Sequence, residues 1–132
     1  MFQPDGWRTW RSNCSNSRLD TRSKILTAEE ALRKFPGAVY ATAYFDPMLA
    51  GNAQRIAELV DGGRTVVVVI TDPPEPILPA RSRAELAASL RNTAAVVIGT
   101  SGLDPAKLVS LEAQDIESRD GLTAHVHRRH GA

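Results

Sequence analysis

The chain has 132 residues, enough for one domain with a real core and too few for two ordinary ones. Sixteen basic and fifteen acidic residues leave a net charge of +1, so no global field points to nucleic acid or to a membrane surface. A single cysteine, Cys14, excludes a disulfide framework and a cysteine-based zinc site.

Residues 1–23 are rich in Ser, Asn and Arg, set Trp7 and Trp10 among arginines, and show neither helical nor strand periodicity. They read as an irregular arm ahead of one α/β domain over residues 24–132. Interleaved Trp and Arg can stack on bases, but tryptophans that dock the arm back onto the domain are the simpler expectation. Met1 to Ser23 holds no apolar stretch of signal-peptide type, and the longest apolar run is Val66 to Ile70. A cytoplasmic protein without a membrane span is therefore expected.

Thr27-Ala28-Glu29-Glu30 has capping-box form, with the Thr27 hydroxyl placed to accept from the Glu30 amide while the Glu30 side chain reaches back. Leu32 and Phe35 give the helix an apolar face, and Pro36-Gly37 stops it. A first strand is expected at about residues 38–44. After a turn over residues 45–52, Ala53, Ile56, Ala57 and Val60 recur at helical spacing as far as Gly62-Gly63. Thr65 to Thr71 is apolar without alternation, as in a strand covered on both faces of a parallel sheet.

Asp72-Pro73-Pro74-Glu75-Pro76 must be loop, because its prolines deny it helix and ladder hydrogen bonds. Ser82-Arg83-Ala84-Glu85 reads as a second capping box, opening a helix with Leu86 and Leu90 inside. Ala94 to Ile98 is a third buried strand, ended by Gly99-Thr100-Ser101-Gly102; Lys107 to Glu112 suits a fourth, partly exposed strand, and Ile116 to Arg129 a closing helix. Strands separated by helices of this length give a Rossmann-like, three-layer α/β/α fold with a mostly parallel sheet.

In such a sheet ligands bind beyond the carboxyl ends of the strands, and the loop after the first long strand runs along that crevice. Gly51 there permits close approach of backbone to ligand, and a helix beginning near Asn52 offers free amides to a phosphate. A plain βα turn explains the same residues. Asp46 can orient a substrate or a magnesium ion, or only cap the following helix. Arg81 and Arg83 can reach a substrate phosphate, or pair with Asp72, Glu75 or Glu85 at the surface. His125, His127 and His130 lie beside Arg128 and Arg129, which suits cations at a helix C-terminus better than a metal site.

Several segments, in order, resemble the cytidylyltransferase-like (nucleotidylyltransferase) family, and among its members the adenylyltransferase domain of ADP-heptose synthesis. Lys24 to Glu30 is similar to its opening helix, and Tyr44 to Asn52 to the strand end and signature turn Phe-Asp-x-x-His-x-Gly-His. Val66 to Asp72 is similar to its second strand with a closing polar pair, Ile77 to Leu86 to its Pro-x-x-x-Arg-Ala-Glu helix start, and Arg91 to Val97 to the link into its third strand. The match spans about residues 24–100. Both signature histidines are missing, with Leu49 and Asn52 in their places, and so is the lysine that relatives carry in the loop after the second strand.

Family members join a nucleoside triphosphate, with Mg, to a phosphorylated or acidic substrate and release pyrophosphate, and many dimerise. The resemblance thus implies nucleotide contacts at Tyr44, Phe45, Asp46, Gly51 and Asn52, and substrate contacts at Thr71, Asp72, Arg81 and Arg83. It implies a homodimer, while the balanced charge leaves no nucleic-acid or membrane partner expected. Leu49 cannot stabilise charge, and Asn52 keeps only a neutral donor. Losing one preorganised donor typically slows such chemistry by about 10²–10³-fold. The expectation is therefore a degenerate domain that binds a nucleotide or phosphate ligand without efficient catalysis. The alternatives are an active transferase with a divergent site, and a structural or interaction module.

Overall fold

A computed structural model describes residues 20–130. The arm expectation for residues 1–23 therefore falls almost wholly outside the described residues; its last few positions lead into a 3-10 turn, Thr21–Lys24. Five strands follow: β1 (Ile25–Leu26), β2 (Val39–Ala43), β3 (Val66–Ile70), β4 (Thr93–Ile98) and β5 (Leu108–Ser110). They form one parallel sheet in the order β1-β4-β3-β2-β5. The helices are α1 (Ala28–Lys34), α2 (Ala50–Asp61), α3 (Ala80–Ala88) and α4 (Glu112–His130). This is a Rossmann-like three-layer α/β fold.

The unalternating Val66–Ile70 run is fully buried because the sheet is covered on both sides. Val66, Val68 and Ile70 face one core with Ala41, Ala43, Ile56 of α2 and Ala84, Ala87 and Ala88 of α3. Val67 and Val69 face the other core with Tyr40, Ala95, Val97, Ala31 of α1 and Leu103. Two full crossover helices thus cover the first face. The second is covered by the seven residues of α1 and by the β4–β5 crossover, residues 99–107, which carries only the 3-10 turn Pro105–Lys107.

Thr27 caps α1 as expected, its hydroxyl accepting from the Glu30 amide at 3.2 Å, while the Glu30 carboxylate reaches back to that same hydroxyl at 3.0 Å. Several boundaries differ from expectation. Ile25 and Leu26 are not helix; they pair with Val96 and Val97 and make the edge strand β1. Helix α3 starts at Ala80 after Pro79, without a side-chain cap, so Ser82 and Arg83 lie inside the first turn. The fixed φ of Pro79 preorganises the start two residues before the Ser signal.

Helix α4 also begins earlier than its apolar residues indicate, at Glu112, because Glu112 and Asp115 favour a helix N-terminus. Its first two turns lie over the carboxyl ends of β2 and β3, and from Thr123 onward it is exposed on all sides. Among the described residues, no helix is long and apolar enough to cross a membrane.

Candidate functional site

The crevice that this topology offers lies beyond the carboxyl ends of β2 and β3. Four elements meet there: the turn 44–49, the start of α2, the loop 72–78 and the first turns of α4. Phe45 is fully buried with φ at +49°, a region that bulky residues rarely enter. Such a backbone persists only where its surroundings hold it. Here the hold is polar: Asp115 accepts from the preceding amide, of Tyr44, at 2.8 Å.

The geometry turns the following residue, Asp46, inward, where it is 3 % exposed. Its two carboxylate oxygens accept from the amides of Ile77 and Leu78, each at 2.7 Å, and Arg119 lies 3.7 Å away. These bonds fasten the proline-rich loop across the turn. The same geometry fits poorly with a magnesium ion, because the oxygens a metal would need are already satisfied by backbone donors.

Helix α2 begins at Ala50, one residue before Gly51 and two before Asn52, with Leu49 as its N-cap. Leu49 has no acceptor in its side chain, so only the returning half of a capping box forms: the Asn52 amide oxygen accepts from Leu49 N at 2.6 Å. The Asn52 amide nitrogen donates to the Asp115 carboxylate. Asn52 is 2 % exposed, so its one remaining donor group is committed inside the protein. Gly51 is exposed, and a side-chain carbon built on it meets nothing within 4 Å. No close approach explains its presence.

Arg83 is the largest fully buried side chain of the described residues, at 1 % exposure. Two residues on from Arg81 in α3, it points to the opposite side of the helix and aims into the crevice. Its guanidinium donates to the carbonyls of Leu78 at 3.0 Å, Tyr44 at 3.2 Å and Thr71 at 2.6 Å, and to the Asp72 carboxylate at 2.6 Å. One planar fork thereby ties the ends of β2 and β3 to the loop and to α3, a geometry that lysine cannot supply. Arg81 stays outside and pairs with Glu85 at 3.3 Å. Of the two sequence-level readings of these arginines, the structure displays ion pairing with Asp72 and Glu85.

Glu112 closes the remaining side. It accepts from the Thr71 hydroxyl at 2.8 Å and from the Tyr44 hydroxyl at 3.2 Å. Burial pushes the Tyr44 phenol up, and the neighbouring Glu112 carboxylate pushes it the same way. Burial likewise raises the Asp115 carboxyl, opposed by the amides of Tyr44 and Phe45, by Arg55 and by Asn52. Arg55 reaches only to 3.9 Å from Asp115. Glu112 and Asp115 thus place two carboxyl groups beside the ends of β2 and β3.

The residues singled out from the sequence thus do come together. Tyr44, Phe45, Asp46, Asn52, Thr71, Asp72 and Arg83 share one hydrogen-bonded corner, while Gly51 and Arg81 lie outside it. Sequence reasoning missed Glu112, Asp115 and Arg119. The acidic pair at a helix start was the available signal, masked by placing that helix at Ile116. No protein-family model matches the chain, and neither curated proteins nor solved structures give a match to it.

Proposed function

We propose that the chain is a nucleotidylyltransferase-like domain that performs no nucleotidyl transfer and serves as a non-catalytic module, its crevice used to hold the fold together. One observation carries this reading: Asn52, in the place of the second signature histidine, is buried between Leu49 N and Asp115. Catalysis of this kind depends on donors left free and aimed at developing phosphate charge. The Asn52 side chain is not free in this sense, because it is held inside the protein by Asp115.

The test is calorimetry with ATP, CTP, GTP and UTP in the presence of Mg, paired with a pyrophosphate-release assay over sugar-phosphate and alcohol-phosphate acceptors. No saturable heat and no pyrophosphate are expected. Turnover with any combination would overturn the reading. A second reading, weak binding of a phosphate-bearing ligand without turnover, draws on one feature: the first amides of α2, at Ala50 and Gly51, lie in an exposed turn. Saturable heat that Gly51→Pro abolishes, again without pyrophosphate, would favour it.

A further inference from the structure

The two faces of the sheet are finished unequally. On the first, α2 and α3 give full helical cover. On the second, the β4–β5 crossover carries only the 3-10 turn Pro105–Lys107, and beside α1 an open groove of about 260 Å³ remains. Ala38 and Tyr40, at the start of β2, lie at its floor; Leu32 of α1 stands on one side, and Leu103, Asp104 and Lys107 of the crossover on the other. The Tyr40 ring is held down there by its hydroxyl, which donates to the Phe35 carbonyl at 3.1 Å.

The same patch presents what such a groove takes. Leu32 is 41 % exposed, on the side of α1 that lines the groove. Arg33 next to it is exposed and pairs with no carboxylate among the described residues. Across the groove, Asp104 uses one oxygen to cap its own turn through the Ala106 amide at 3.0 Å, and among the described residues its other oxygen has no such partner. An apolar knob and an apolar seat, a cation and an anion, thus lie side by side. A surface that carries both halves of a contact is complementary to itself about a twofold axis.

We infer that this patch is a homodimer contact, in which a second copy, turned about a twofold axis along the groove, lays its α1 over the crossover and supplies the helical cover that this side lacks. Leu32 of each protomer enters the groove of the other, above Tyr40 and against Leu103, while Arg33 of each meets Asp104 of the other. The reciprocal placing of both signs favours a second copy over a partner that is simply acidic or basic. The contact is small, one short helix and one connecting segment per protomer. It falls under the roughly 800 Å² per partner of standard interfaces, so half-dissociation is expected at about 10–100 µM.

Sedimentation equilibrium of the full chain across that concentration range is expected to show monomer passing to dimer. Leu32→Glu, at an exposed helix position, should leave circular dichroism unchanged and give a monomer throughout. Asp104→Arg should weaken association by about tenfold, and adding Arg33→Glu to the same chain should bring it back to within about threefold of the parent. In a chain carrying Cys14→Ser, Leu32→Cys should give a disulfide-linked dimer on mild oxidation, because the twofold brings the two positions together over Tyr40. A monomer at every concentration would overturn the inference, and so would a dimer that survives Leu32→Glu, by placing the contact on another surface. A double charge variant that stays dissociated would overturn it too, by tracing the effect of Asp104→Arg to the lost cap on Ala106, as would Leu32→Cys chains that fail to link. None of these readouts depends on what the crevice beyond β2 and β3 binds.

Discussion

The two concave regions of this molecule differ in what fills them. Beyond β2 and β3, Asp46, Asn52, Arg83, Glu112 and Asp115 satisfy one another and the surrounding backbone. Under α1, a groove of about 260 Å³ is lined by Leu32, Tyr40 and Leu103, and its space is not taken by any described residue. A polar crevice on an α/β sheet is where ligand chemistry is ordinarily sought. Here that crevice has become a joint between loops, and the room for something else lies where a covering helix is lacking.

If the crevice is a joint, substitutions in it should be felt as stability. The largest effect is expected for Arg83→Met, which leaves three carbonyls and Asp72 without their donor. A loss of about 3–5 kcal/mol should appear as a lower denaturant midpoint, with Arg83→Lys recovering only part of it. A loss under about 1 kcal/mol, within the range of ordinary surface changes, would break the contrast between the two regions.

Asp115→Asn comes next, at about 1–3 kcal/mol, because an amide cannot accept from both Tyr44 N and Asn52. It should also change the dependence on pH. Burial raises the Asp115 carboxyl in the folded chain above its unfolded value, which is near 3.9. A group shifted in this direction favours folding most below the unfolded pKa, and its contribution fades as pH rises through the folded pKa. The parent protein should therefore lose, as pH rises above about 4, a component of stability that Asp115→Asn lacks. Parallel stability curves for the two proteins would contradict the assignment.

The smallest effect sharpens the comparison from outside the joint. Gly51→Ala, in the exposed first turn of α2 with nothing near its side chain, should raise stability by about 0.4–1 kcal/mol. A destabilisation would show that Gly51 is required by a contact not formed among the described residues.

Elements with strong local signatures were legible in the sequence. The Thr27 capping box and the Val66–Ile70 run declare themselves within a few residues. Ile25–Leu26 did not, since two apolar residues have no period, and their strand identity comes from Val96 and Val97. The turn 45–52 stood out in the sequence as a candidate ligand turn, but the roles of its residues were not legible, because whether Asn52 and Arg83 face a ligand or the protein is decided by Asp115, Tyr44 and Thr71. Those partners are set by packing between elements rather than by spacing along the chain.

The sheet's two rims bear on how copies of this chain can meet. β1 has two residues and β5 three, flanking strands of five and six. Exposed rims invite strand addition in proportion to the ladder they leave open, and short outer strands are one way proteins blunt that invitation. The lateral margins here give an incoming chain almost no backbone to copy. Any self-association, including the homodimer implied by family resemblance, would have to be made with side chains and helix surfaces, not by lengthening the sheet.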